Sequence, residues 1–196
     1  MKKIVSPPAE WKCGIVTADI HKNGEPHRED FELTLGGAVE YWGQDYAPAG
    51  PLLVSAVASW AGGDIVIRVD VEGRFSVPCY RCLEDTGIAI KGDMRYIFTS
   101  RHPEENDEKR SGSGDEGDGE PDGSVDAIWI EPFKAEIDMS PYIWEILILN
   151  LPERVLCGED CLGLCPMCGA NKNTRDCGCA EDETDPRLEV LKDFLQ

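Results

Sequence analysis

DIVIRVDVEGRFSV, residues Asp64 to Val77, alternates almost without interruption. Ile65, Ile67, Val69, Val71, Phe75 and Val77 fall on one face, and Asp64, Arg68, Asp70, Glu72, Arg74 and Ser76 on the other, with Val66 the exception. A side-chain period of two is that of a half-buried strand, and Gly73 is the natural place for a bulge within it. Upstream, Leu52, Val54, Ala56, Ala58 and Trp60 alternate in the same way, and Ala61-Gly62-Gly63-Asp64 supplies a hairpin turn. Downstream, Ile88, Ile90, Met94, Tyr96 and Phe98 form a third apolar stripe. The assembly these strands predict is an α+β fold dominated by an antiparallel, barrel-like meander.

Shorter strand candidates are Trp11 to Ile20, Phe31 to Leu35 and Val125 to Ile130. Ser140-Pro141 is a helix start, with serine as N-cap and proline at the first helical position. Tyr142 to Leu149 then forms a short buried helix, ended by Pro152. Asp185-Pro186 repeats that start, with Leu188, Leu191 and Leu195 on one stripe of a small terminal helix. The expected domains are a sheet domain over 1–151, carrying a disordered acidic loop at about 101–124, and a cysteine-rich tail over 152–196 packed on the sheet.

The chain has 196 residues and a formal charge of −19. It is long enough to bury a core without staples. Its N-terminus, MKKIVSPPAEWK, has no apolar core behind the lysines, so no secretory signal is expected. YIWEILILNL, Tyr142 to Leu151, is too short to span a bilayer. These features predict a cytoplasmic protein without a membrane partner. The 19 Lys and Arg are scattered, so tight binding to a phosphate backbone is disfavoured.

Nine cysteines remain to be explained. In a reducing compartment disulfides are rare and cysteine clusters bind metal. Cys79-Tyr80-Arg81-Cys82 lies where a hairpin loop belongs, and two thiolates at this spacing can grip one ion through a single turn. A redox dithiol shares the spacing but belongs near a βαβ pattern, which is lacking here. In Cys165-Pro166-Met167-Cys168-Gly169 the glycine lets the backbone turn so that its N–H groups face sulfur. Cys177-Gly178-Cys179 follows after a polar spacer containing Asn171 and Asn173, both tolerant of turn conformations.

With Cys13 set aside as a buried thiol, eight cysteines make two sets of four. Cys79, Cys82, Cys157 and Cys161 form one zinc site, and Cys165, Cys168, Cys177 and Cys179 the other. A single zinc, with some cysteines left free, is the other division that spacing allows. Each four-thiolate zinc site carries a formal charge of about −2, and Lys172 and Arg175 stand close enough in sequence to offset part of it by N–H···S contacts.

Arg81-Cys82-Leu83-Glu84, IDMSPYIWEILILNLP, CLGLCPMCGANKN, CGC and DPRLEVLKDFL occur in one order. That order resembles the YceD family of large ribosomal RNA subunit accumulation proteins, from about Leu52 to Gln196. The resemblance implies a part in processing and accumulation of large-subunit ribosomal RNA, and it carries the first cysteine pair onto Cys79 and Cys82. The long acidic loop departs from it.

Two functions of different kind follow. One is a non-catalytic, zinc-stabilised assembly factor whose negative surface suits a basic ribosomal protein or an assembly intermediate of the ribosome. The other is a thiol-based redox sensor or oxidoreductase, should one cysteine group be free of metal. A zinc hydrolase is disfavoured, since His21, His27 and His102 lie far from every cysteine in sequence. Trp42, Tyr46 and Trp60 could stack on RNA bases, but core packing is the better account for most of them.

Overall fold

The computed structural model describes residues 3–20, 25–100, 127–131 and 135–179. The acidic loop, His21, His102 and the terminal helix expected after Asp185 lie outside them. The chain divides into two compact units: Met1–Val77 with Thr86–Glu153, and Pro78–Asp85 with Arg154–Gln196.

Ten strands and one α-helix occur among the described residues: β1 (Lys3–Ile4), β2 (Gly14–Val16), β3 (His27–Leu33), β4 (Ala38–Tyr41), β5 (Gln44–Pro48), β6 (Leu52–Ala61), β7 (Asp64–Pro78), β8 (Asp85–Thr99), β9 (Ile128–Trp129), β10 (Glu136–Asp138) and α1 (Ser140–Leu149). A 3-10 turn, Thr17–Asp19, follows β2. Strand β7 is the spine. Its first half pairs antiparallel with β6, from Ala61↔Asp64 to Leu53↔Glu72, and Ser76 and Phe75 pair with Ala47 and Pro48 of β5. Strand β8 pairs with β7 as well, β3 extends the sheet beyond β6, and β4 and β1 extend it beyond β5.

The apolar stripe read from the sequence is the buried one: Ile65, Ile67, Val69, Val71, Phe75 and Val77 are all at most 3% exposed. The 61–64 turn is also as expected, with Gly62 and Gly63 at φ 61° and 93°, values that suit the right-handed twist of a two-residue hairpin.

Two expectations are corrected and one is met in part. The sheet is mixed, because β1 pairs parallel with β4 and β9 parallel with β8. Both parallel partners are far apart in the chain, as parallel pairing requires. Among the described strands β1, β3 and β9 have one neighbour each, so the barrel-like sheet expected from the sequence is met as a half-barrel with free edges. Finally, Gly73 is no bulge. Burial alternates through it without a break, and an added Cβ there would stand 2.6 Å from Leu52 Cδ2 and 3.2 Å from Phe75 Cε2. Close packing, not a kink, calls for glycine.

Helix α1 begins at Ser140 with Pro141 in its first turn. The cap comes from Asp138, whose carboxylate accepts from Ser140 N–H at 2.9 Å and from Ser140 Oγ at 2.6 Å. An acidic group there also complements the positive end of the helix. Ile143, Ile146 and Leu147 are fully buried. Tyr142 stacks against Tyr96 and Phe98 of β8, with ring centroids 4.7 and 5.3 Å away. Tyr96 Oη donates to Glu145 Oε2 at 3.0 Å. Strands β2 and β10 form a separate pair whose central residues, Ile15 and Ile137, are buried. Cys13 is buried too, and burial pushes its thiol up.

Of the three aromatics considered for base stacking, Tyr46 is fully buried and Trp60 is half-buried, with its indole N–H on Ile20 O at 3.1 Å. Trp42 is instead 70% exposed, at φ 48° in the turn joining β4 to β5. That turn leaves its ring outside the core.

Candidate metal centres

The second unit is built from two copies of one turn. In Cys79–Glu84, Cys79 N–H donates to Glu84 O at 2.8 Å and Leu83 N–H to Cys79 O at 2.9 Å. In Cys165–Ala170, Cys165 N–H donates to Ala170 O at 2.7 Å and Gly169 N–H to Cys165 O at 2.8 Å. The residue after the second cysteine is left-handed in both, Leu83 at φ 63° and Gly169 at φ 69°. This geometry aims backbone N–H groups at the first sulfur. Cys79 Sγ accepts from the amides of Cys82, Arg81 and Cys157, and Cys165 Sγ from those of Cys168 and Met167.

Each turn is completed by a second pair of cysteines. Cys157 and Cys161 meet the first: Cys79 Sγ and Cys161 Sγ are 3.8 Å apart, Cys82 Sγ and Cys157 Sγ 3.6 Å. Cys177 and Cys179 meet the second, where Gly178 takes φ 62° and its N–H is held by Asp176 Oδ1 at 3.1 Å. Within each group all four sulfurs lie within 4.8 Å of one another. The eight cysteines are thus gathered as the spacing divides them. None is bridged to another. The two S···S distances of the first group, 3.8 and 3.6 Å, are far beyond the roughly 2.05 Å of a disulfide, and they match the edge of about 3.8 Å that four sulfurs leave around an ion at about 2.3 Å.

Arg81 ties the two cysteine pairs of the first group together. Its guanidinium donates to Cys161 O at 3.0 Å, and its carbonyl accepts from Leu164 N–H at 3.1 Å. Gly163 sits under that carbonyl: a Cβ there would stand 3.1 Å from Arg81 O, and its φ is 73°. Tyr80 N–H donates to Val155 O at 2.7 Å, and Arg154 stacks over the Tyr80 ring at 5.1 Å.

Electrostatics favour a cation in both groups. Burial alone would raise the Cys79 thiol, but the three amides outweigh it and bring it down to about 6. The amides of Cys168 and Met167 bring Cys165 to about 6 as well. Their neighbours move the other way. Cys157 is pushed up to about 12 by Cys161 and Cys82, and Cys179 to about 12 by Cys168 and Cys177. Four sulfurs so close cannot all be ionised without positive charge between them, and a soft divalent ion would supply it. The donor set therefore fits a tetrahedral thiolate ion in both places.

The groups differ in shielding. Cys79, Cys82 and Cys161 are buried, whereas in the second group only Cys165 is, and Cys168 and Cys179 are exposed. The side-chain nitrogen that reaches a sulfur from this segment is an amide, and the sulfur belongs to the first group rather than the second. Asn173 Nδ2 donates to Cys161 Sγ at 3.3 Å and, with the amide of Gly163, lowers that thiol. Composition marked Asn173 only as a turn residue, and nothing in its local spacing points to a sulfur 12 positions away.

The profile described as Large ribosomal RNA subunit accumulation protein YceD matches residues 67–195. The chain belongs to the YceD family. The YceD match takes in both cysteine groups, α1 and most of β7. Two curated relatives carry the name Large ribosomal RNA subunit accumulation protein YCED homolog 1, chloroplastic. The one from Arabidopsis thaliana is 31% identical over 160 residues, covering 72% of this chain and 48% of that protein. The one from Zea mays is 27% identical over 158 residues, covering 74% and 53%. The chain thus spans about half the length of the curated YceD relatives it matches. No solved structure gives a significant match.

Proposed function

We propose that this chain is a non-enzymatic factor that binds two zinc ions and supports the accumulation of large-subunit ribosomal RNA. Cys79, Cys82, Cys157 and Cys161 hold one ion and Cys165, Cys168, Cys177 and Cys179 the other. The observation that carries the metal half is the gathering of the eight sulfurs into two groups of four, each within 4.8 Å, with two contacts of the first group at the edge length of a tetrahedral site. Family membership carries the ribosomal half. Saturated thiolate sets leave no open position for a substrate, which argues for structural rather than catalytic ions. The charge of −19 directs the protein toward a basic ribosomal protein or an assembly intermediate rather than toward bare RNA. On this reading it works in the cytoplasm, where thiols stay reduced.

Two measurements test the two halves. Elemental analysis of the purified chain should give two zincs. Cells depleted of the protein should accumulate unprocessed large-subunit precursor RNA on sucrose gradients. Normal gradients and normal precursor would remove the ribosomal reading whatever the metal content.

A second reading, a thiol redox sensor, draws on the lowered Cys165 thiol beside exposed Cys168. It predicts that the second group titrates freely with a thiol reagent in the native protein before any chelator is added.

A further inference from the structure

Asn173 belongs by sequence to the second cysteine group, since it lies in the spacer between Cys168 and Cys177. By contact it belongs to the first. Its Oδ1 accepts from Leu162 N–H at 2.8 Å, and its two Nδ2 protons go to Asn171 Oδ1 at 2.9 Å and to Cys161 Sγ at 3.3 Å. The amide has one reading only. Turned over, it would set its oxygen against both Asn171 Oδ1 and a sulfur, and its NH2 against the N–H of Leu162.

The spacer that carries Asn173 is held at both ends by sulfur ligands of the second group. Between them the chain is folded by Asn171, which forms an antiparallel bridge with Leu164 and whose Oδ1 accepts from Asn173 N–H at 2.9 Å. Lys172 N–H donates to Gly163 O at 2.9 Å, and Arg175 N–H to Asn171 O at 3.2 Å. The bonds to Gly163 and Leu164 tie this turn to the segment next to Cys165, so release of Cys165, Cys168 and Cys177 together would loosen both sides of the anchorage that presents the Asn173 amide to Cys161.

We propose that Asn173 couples the two cysteine groups. An ion in the Cys165 group fixes the spacer and holds the Asn173 amide on Cys161 Sγ, which tightens the hold of the Cys79 group on its own ion. By linkage the first ion strengthens the second by the same factor. Asn173 is a positioning residue: it touches a ligand, not the ion. The inference rests on the metal reading above and adds an order to it, in which loading of the groups is cooperative rather than independent.

The test is titration of the metal-free full chain with Co(II), followed by competition with Zn(II). Wild type should take up two Co(II). The Cys177→Ser, Cys179→Ser double variant keeps only the first group and identifies its spectrum. Loss of an outer hydrogen-bond partner typically weakens a metal site about 10- to 100-fold. Asn173→Ala should therefore weaken the first group at least about tenfold and move its sulfur-to-cobalt charge-transfer band to lower energy. Asn173→Asp, which keeps an acceptor for Leu162 but offers no N–H, should do the same. The double serine variant should weaken the first group by a similar factor, and adding Asn173→Ala to it should cost nothing more.

Equal affinities and unmoved bands in the Asn173 variants, with two Co(II) still bound, would overturn the coupling and leave the metal reading standing. Failure of wild type to bind Co(II) or Zn(II) at all would overturn both. Should the variants misfold, wild type loaded with 113Cd decides the matter. A coupling from the Asn173 side-chain amide through the hydrogen bond to the metal is expected, and its absence beside observable Arg81 and Cys82 backbone couplings would refute the proposal.

Discussion

Leu83 and Gly169 occupy the same left-handed position in two copies of one turn, at φ 63° and 69°. Only the second has the residue type that adopts this conformation without strain. Leu83 is also 64% exposed, so its side chain gains little from burial. Leu83→Gly should therefore raise stability by about 0.5–1 kcal/mol, the relief of left-handed strain less the added freedom of glycine when unfolded. The reverse change, Gly169→Leu, should lower stability by a comparable amount. Urea midpoints of the zinc-loaded protein measure both.

On the proposed two-zinc reading, the unequal shielding of the two groups sets an order of metal loss. Cys168 and Cys179 are exposed, whereas three sulfurs of the first group are buried. A chelator added in excess should withdraw zinc in two phases of equal amplitude, the faster from the second group. Cys179→Ser should abolish the fast phase. A single phase of double amplitude would contradict this order.

Three tyrosines make the fold sensitive to alkali. Burial raises Tyr96, Tyr46 and Tyr142 above the ordinary value of 10.0, and the Glu145 carboxylate adds to the rise at Tyr96. Their hydroxyls ionise more easily in the unfolded chain, so the unfolded state loses protons first as pH rises. The stability linked to them is complete below about pH 10 and falls above it. The urea midpoint should decline from pH 10 upward. Tyr96→Phe should show a shallower decline, after losing about 1 kcal/mol at neutral pH for the missing hydrogen bond to Glu145.

Gly73 has no room for a side chain. A Cβ would meet Leu52 and Phe75, both 1% exposed, on the buried face of β7. Gly73→Ala should destabilise by about 1–3 kcal/mol through overpacking, and Gly73→Val by more. A neutral Gly73→Ala would restore the bulge expected from the sequence.

The long strands were legible because one-sided burial imposes a period of two, and β6, β7 and β8 each run long enough to display it. Strands β1, β4, β5 and β10 went unread. They are 2 to 5 residues long, and β4 buries two successive residues, Ala38 and Val39, which erases the alternation. Pro141 and the apolar run behind it marked α1, but the N-cap position falls on Met139 rather than Ser140, and the carboxylate that serves the helix start is Asp138, two residues before the serine. The division of cysteines could be read because a two-residue gap fixes a pair locally, leaving few ways to join pairs. Asn173 could not. A side-chain amide whose target is 12 residues away leaves no periodic trace.

The first sulfur group joins residues 75 to 82 positions apart along the chain. On the proposed metal reading, an ion shared by these four sulfurs would act as a reversible clasp across a long loop, and neither cysteine pair could close it without the other.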